Sequence, residues 1–323
     1  MSKIIGIDIS KSTFDVSYLK KDKWEHKVFK NQSTGFEQFK KIIKSADWIV
    51  MEASGPYYVQ LATFLNLGNY KVCVLNPLII RRYSQTRLYR AKTDKKDAKT
   101  IAEYGAQYEL KRWYPESNHC IEIKQLYTAL ELLKKQKHQT KRQLESFEVT
   151  GVLSNSLKKE LKQLLLLLTR RIIKFEKQIE KLGELAYKDT IQRLRTIPGV
   201  GIKTAIMISV VTNNFTKFEN YKQLTAFVGF SPRLYQSGTS VKGKGHICKM
   251  GKPQIRKLLY LCSWSAKRVN KTCIEMYNRL KEKGKPERVI KIAIANKLLK
   301  QIFAVAKNKQ YYNENYQSLC GAK

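Results

Sequence analysis

Over the first 110 residues, short period-two apolar runs alternate with helical apolar patterns. Lys3 to Ile9 is an apolar, β-rich run, and Phe14, Val16 and Tyr18 alternate with polar neighbours. Trp24 to Phe29 follows the Lys20-Lys21-Asp22-Lys23 turn, so the chain is expected to open as three antiparallel strands. Thr34 is expected to cap a helix with Phe36, Phe39, Ile42 and Ile43 on one face. Trp48 to Met51 reads as a short buried strand ending at Glu52, and Tyr57 to Leu67 as a helix. Lys71 to Leu75 is another strand, closed by Asn76-Pro77, and a further helix is expected from about Asp94 to Tyr108.

Residues 120–190 lack proline and are rich in Lys, Glu, Gln and Leu, with breaks only near Thr150-Gly151 and Leu153-Ser156. This pattern predicts two long amphipathic helices in a coiled-coil arrangement. Next, Thr196-Ile197-Pro198-Gly199-Val200-Gly201-Ile202-Lys203 has the shape of a helix-hairpin-helix turn. A glycine-lined turn before a helix N-terminus lets backbone N–H groups approach a phosphate, although plain helix packing uses the same turn. Gly229 to Gly251 reads as a basic loop, Pro253 to Val269 and about Pro286 to Ala306 as helices. The expected organisation is therefore an α/β domain at 1–110, a helical coiled-coil region at 111–190, a mainly α domain at 191–310 and a flexible tail at 311–323. The order β-β-β-α-β-α-β-α at the start belongs to the ribonuclease H-like fold.

Charge changes the picture most. The chain has 62 Lys plus Arg against 26 Asp plus Glu, a formal net charge of +36. Its 43% hydrophobic content is enough for real cores, so the charge belongs to folded domains with a polyanionic partner, DNA or RNA. Six cysteines form no CxxC pair and only four histidines occur, which argues against zinc and fits a reducing cytoplasm. The apolar run Leu161 to Leu168 contains Lys162 and is too short to span a bilayer. No membrane partner is expected.

Against that background, four acids matter: Asp8, Glu52, Asp94 and Asp97. In a ribonuclease H-like sheet the first strand lies beside the fourth, so Asp8 and Glu52 should meet. Asp94 and Asp97 are three apart and share a helix face. Four gathered carboxylates repel one another unless cations lie between them, and their hard oxygens suit magnesium. Singly, each has a plainer reading: Glu52 as a strand-end surface residue, Asp94 as an N-cap with Asp97 favouring the helix dipole.

The basic loop holds Gln236-Ser237-Gly238, with Arg233, Lys242, Lys244, Lys249 and Arg256 around it in sequence, suited to a phosphate. A serine attacking phosphorus would make a covalent phosphoserine link to DNA. Ser231 and Ser240 compete with Ser237, and His246 reads as a phosphate contact or a surface residue. Further candidate nucleic-acid contacts are Lys11, Lys92, Gly199, Gly201 and Lys203.

The ordered motifs Gly6-Ile7-Asp8-Ile9-Ser10-Lys11, Met51-Glu52-Ala53-Ser54-Gly55-Pro56-Tyr57, Lys92-Thr93-Asp94-Lys95-Lys96-Asp97-Ala98, Pro198-Gly199-Val200-Gly201 and Gly229-Phe230-Ser231-Pro232 with Gln236-Ser237-Gly238 resemble the insertion-sequence 110 family of prokaryotic DEDD transposases. The resemblance runs from residue 4 to about 305. It implies a RuvC-like N-terminal domain in which Asp8, Glu52, Asp94 and Asp97 bind Mg2+. It also implies a C-terminal transposase domain supplying Ser237 as nucleophile to a composite site, in one chain or between protomers of a homo-oligomer. Finally, it implies a structured non-coding bridge RNA that pairs with donor and target DNA. Phe230 and Ser231 depart from the family's usual Leu and Ala or Val in the Gly-x-x-Pro segment. A magnesium-dependent RuvC-like nuclease or Holliday-junction resolvase, needing the acids and not Ser237, is the alternative.

Overall fold

The structure is a computed structural model that describes residues 3–89, 93–233, 236–237, 241–242 and 245–315. Candidate contacts Lys92 and Lys244, together with Gly238 and Ser240, lie outside the described residues. The chain forms two compact units, Met1–Glu116 and Ser117–Lys323.

The first unit is built on a five-stranded sheet of β1 (Ile4–Ile9), β2 (Thr13–Lys20), β3 (Lys23–Lys30), β4 (Trp48–Glu52) and β5 (Lys71–Leu75). Their spatial order is β3-β2-β1-β4-β5. The first three strands pair antiparallel, while β4 runs parallel to both β1 and β5. This mixed sheet with helices is compatible with the expected ribonuclease H-like class.

Helices α1 (Ser33–Lys40) and α2 (Tyr58–Leu67) cover one face, where Phe14, Phe36, Phe39, Ile7 and Leu65 pack together. The other face receives α3 (Pro77–Thr86) and α4 (Asp94–Gln107), which meet Val50 and Cys73 through Ile80 and Ile101. Helix α3 was not expected. Asn76-Pro77 closes the strand and also starts a helix: the Asn76 side chain accepts from Leu78 N at 3.0 Å, and Pro77 occupies the first turn. In α1 the N-cap is Gln32, ahead of the expected Thr34.

The second unit is helical apart from short strands. Helices α5 (Asn118–Val149) and α6 (Asn155–Arg195) fold back on one another and are tied by Lys134–Glu176 at 2.9 Å and Lys158–Glu148 at 2.8 Å. Ser117 and Ser154 cap them through their side chains. Helices α7 (Ile202–Thr212), α8 (Tyr221–Val228), α9 (Pro253–Val269), α10 (Lys271–Glu282) and α11 (Glu287–Asn308) follow. One core joins them to α5 and α6, so Ile123, Ile179 and Leu194 share it with Ile206, Leu259 and Leu298. The long helices are thus part of a single folded body with the region after them. Residues 311–315 of the expected tail are docked: Tyr312 N donates to Thr196 Oγ1 at 2.9 Å. Residues 316–323 lie outside the description. No helix among the described residues is long and apolar enough to cross a membrane.

Candidate active site

Strand register brings the first two acids together. Ile5 pairs with Ile49, Gly6 with Val50 and Ile7 with Met51, so Asp8 and Glu52 occupy the next rung of the parallel β1–β4 ladder. Side chains alternate across a sheet, so both acids fall on the face of Gly6 and Val50, which α4 covers. Gly6 makes that cover possible. A Cβ there would lie 2.1 Å from the Ala98 carbonyl oxygen and 2.4 Å from Ala102 N. Its absence lets the helix backbone rest directly on the strand.

The same helix carries Asp94 and Asp97 in its first turn. Thr93, and not Asp94, is its N-cap: Lys96 N donates to Thr93 Oγ1 at 3.3 Å and Asp97 N to Thr93 O at 2.8 Å. Both acids are thereby placed one step inside the helix, on the turn that leads down to buried Ala98. Asp94 is exposed, whereas Asp8, Glu52 and Asp97 are partly buried. Ser54 Oγ donates to Glu52 Oε1 at 2.8 Å and fixes that carboxylate.

Electrostatics ties the group into one cluster. Burial, then the charges of Asp97, Asp94, Glu52 and Asp15, push the Asp8 carboxyl up to about 6. All three other candidate acids therefore act on Asp8. Among the described residues no three acidic, His or Cys side chains are gathered into a ready-made metal cage. The acids share a field before they share a coordination point. Their chemistry fits a hard divalent cation: every donor is a carboxylate oxygen, and a bound positive charge would offset both the burial and the neighbouring carboxylates that raise Asp8.

A fifth acid escapes sequence reading. Asp15 stands opposite Asp8 in the β1–β2 ladder and is almost fully buried. Its Oδ1 lies 2.7 Å from His26 Nε2. The available signal was an aspartate between Phe14 and Val16 whose strand is buried on both faces.

Ser237 belongs to the second unit. Four two-residue strands, β6 (Pro232–Arg233), β7 (Gln236–Ser237), β8 (Val241–Lys242) and β9 (His246–Ile247), replace the expected unstructured loop. β6 pairs with β9 and β7 with β8, all antiparallel, with Ser237 opposite Val241. Ser237 is the last described residue of its strand.

The base of this segment is clamped to α8. Gly229 (φ 86°) and Gly251 (φ 134°) hold backbone conformations that side chains disfavour. A Cβ on Gly251 would lie 2.2 Å from the Phe227 carbonyl oxygen. Lys249 N donates to Gly229 O at 3.1 Å, and Cys248 N to Ser231 O at 2.8 Å.

The candidate basic residues separate by partner. Lys11 is exposed in the turn after β1, one turn from Asp8, and Arg233 and Lys249 are exposed on the serine segment. Arg256 has an internal task, donating to the Val228 carbonyl oxygen at 2.6 Å at the end of α8. Lys203 pairs with Glu176 at 2.7 Å. In the helix-hairpin-helix-like turn, Gly199 (φ 94°) packs on Ala266, while Gly201 opens α7 with clear space around it. Lys242 is described only in its backbone pairing with Gln236.

Comparison with known proteins resolves the family. A model described as a transposase of the DEDD IS110 type matches residues 5–147, and one described as the transposase IS116/IS110/IS902 family matches residues 191–278. The chain is 30% identical over 97% of its length to the pilin gene-inverting proteins of Moraxella lacunata and Moraxella bovis, covering 99% of each. The chain belongs to the IS110 transposase family. It is an enzyme of DNA strand cleavage and joining, and DNA is its partner. A transposase for insertion sequence element IS1111A from Coxiella burnetii is 23% identical over 80% of the chain and 76% of that relative. The family's DEDD designation implies a divalent metal, in keeping with the all-carboxylate cluster on the sheet.

Proposed function

We propose that the chain is a magnesium-dependent DNA recombinase of an insertion sequence, in which Asp8, Glu52, Asp94 and Asp97 hold the metal and Ser237 is the nucleophile. The observation that carries the metal half is the joint action of Asp97, Asp94 and Glu52 on Asp8. When bound, magnesium supplies positive charge to the phosphate and its departing oxygen. Asp8 and Glu52 present their oxygens from a rigid sheet, and Asp94 and Asp97 close over them from the start of α4. Lys11 and Arg233, both exposed, counter the charge of the phosphodiester backbone.

Ser237 Oγ forms a bond to phosphorus while the bond from phosphorus to one deoxyribose oxygen breaks. The serine proton passes to that leaving oxygen, so a link to serine replaces a link to sugar. A deoxyribose hydroxyl from a second duplex reverses the step and rejoins the strands without an energy source. Exchange between two duplexes calls for at least a dimer. The acids and the serine meet in one chain or across two; mixing an Asp8→Asn chain with a Ser237→Ala chain distinguishes these, because activity on mixing assigns partners. A structured guide RNA pairing with donor and target DNA completes the reading, and the +36 charge suits three nucleic-acid segments at once.

The two Moraxella relatives, matched over nearly their whole length, are named for inverting a pilin gene. That favours a second outcome of the same chemistry: recombination sites on one DNA molecule would give inversion, and sites on two would give transposition. The deciding experiment is incubation of the full chain with its element DNA, guide RNA and magnesium. A DNA adduct that survives denaturation and maps to Ser237 is expected. Normal cleavage by Ser237→Ala would replace this reading with the metal-only nuclease or resolvase.

A further inference from the structure

The first unit contains a second feature beside the acid cluster. A cavity of about 290 Å³ opens between strand β3 and the start of α4. Trp24, Tyr89 and His26 line it, as does Glu25, whose carboxylate is taken up by Lys20 and the Tyr18 hydroxyl. Lys95, Lys96 and Lys99 stand around it. Trp24 is 37% exposed on an edge strand, so part of its indole face is open to a ligand. Lys99 Nζ lies 5.0 Å from the Trp24 ring centroid, and Lys96 Nζ 4.6 Å from that of Tyr89. Tyr89 is held in place by its hydroxyl, which donates to Glu103 Oε2 at 2.8 Å.

Two aromatic walls beneath a lysine rim match the two ends of a nucleotide: a flat base and an anionic phosphate. The cavity is near the lower end of small-ligand pockets, roughly 300 Å³, and far too small for a duplex. An acidic protein segment would use the lysines but leave the indole unemployed. We propose that this cavity takes one unpaired nucleotide of a single strand, its base stacked on Trp24 and Tyr89 and its phosphate held by Lys96 and Lys99. Thr93 both lines the cavity and caps the helix that carries Asp94 and Asp97. A strand anchored there enters the acid cluster with its bases already separated. The proposal rests on reading the first unit as nucleic-acid processing and adds a subsite for the unpaired strand.

The test uses the full chain at a salt concentration high enough to screen its large non-specific attraction. Binding of oligo(dT), oligo(U) and a duplex is measured for the wild type, Trp24→Ala, Trp24→Phe and Lys96→Gln/Lys99→Gln. Trp24→Ala is expected to weaken single-strand binding about tenfold, Trp24→Phe to restore most of it, and duplex binding to change by less than about twofold. The oligomer more affected, DNA or RNA, identifies the strand. Photocrosslinking of wild-type chain with 5-iodouracil oligomers is expected to label the peptides of Trp24 or Tyr89. Unchanged single-strand affinity in a Trp24→Ala chain that melts like wild type overturns the proposal. Should that variant not fold, crosslinks that map only elsewhere overturn it equally. Ser237→Ala keeps this binding while losing the covalent adduct, so the two readings fail separately.

Discussion

Asp8 and Glu52 occupy adjacent strands of a five-stranded sheet, whereas Ser237 sits on the two-residue β7–β8 ladder of the second unit. The acids are therefore fixed by strand register, and moving one means shifting a whole strand. The base of the serine segment is held by backbone bonds and two glycines with positive φ, and beyond it the described residues pair in the two-residue ladders β6–β9 and β7–β8. A metal site rewards rigid spacing, since its ligands must meet one ion. The proposed nucleophile would instead have to follow a phosphate through attack and release, which a short ladder permits.

Removing the reactive group from each side gives the largest effects and the sharpest contrast. Ser237→Ala is expected to eliminate the DNA adduct and reduce strand exchange by about 10³-fold or more, with no change in melting temperature. Asp8→Asn is expected to abolish exchange as well, yet to stabilise the metal-free protein at neutral pH. Its sign follows from the raised carboxyl. The fold prefers Asp8 protonated, so wild-type stability falls as pH rises from about 4 to about 6 and the full cost persists above that. Asp8→Asn removes this dependence, as thermal melts across that range would reveal. A variant that melts lower than wild type at pH 7 would show that the Asp8 charge is already compensated.

Gly6→Val comes next. Its side chain would drive α4 off β1, costing about 3 kcal/mol of stability and separating Asp94 and Asp97 from Asp8. Denaturant melts and magnesium titration should both report it. Gly251→Ala is the matching lesion in the second unit. It is expected to cost about 2 kcal/mol there through the disfavoured φ and the clash with Phe227 O, leaving metal binding unaffected.

The smallest effect is Glu287→Gln. Lys267, with Tyr277 and Lys291 assisting, holds the Glu287 carboxyl down to about 2. A depressed carboxyl contributes stability above its unfolded value near 4.5 and loses it as pH falls toward 2. Wild type and Glu287→Gln should therefore differ at neutral pH and converge at the acid end of that window.

Most of the sheet was legible because period-two runs, a charged turn and short apolar strands leave few alternatives. The same holds for α5 and α6, whose break near Thr150-Gly151 matches the turn between Val149 and Asn155. What stayed hidden were α3, α8 and α10, each 8 to 12 residues long. All three begin at an asparagine cap, Asn76, Asn220 and Asn270, a residue that signals turns just as strongly. In the acid cluster, order along the chain pointed to four carboxylates but not to Asp15. That residue is visible only once cross-strand register places it opposite Asp8. The helix cap fell on Thr93 because a hydroxyl there reaches Lys96 N, which frees Asp94 from capping.

The clamp at Gly229 and Gly251 has a consequence for how this protein could diversify. Because Lys249 and Lys252 return to Gly229 and Phe227, the 230–250 segment leaves the helical body and rejoins it at nearly the same point. Such a segment behaves as an exchangeable cassette. Lengthening or replacing its outer part adds only a slowly growing closure entropy, so long as Phe230, buried in the helical core, and Ile247, packed against it, are kept. The serine segment of one relative could therefore be transplanted between these two glycines in another, and strand-exchange chemistry could evolve separately from the helices that carry it.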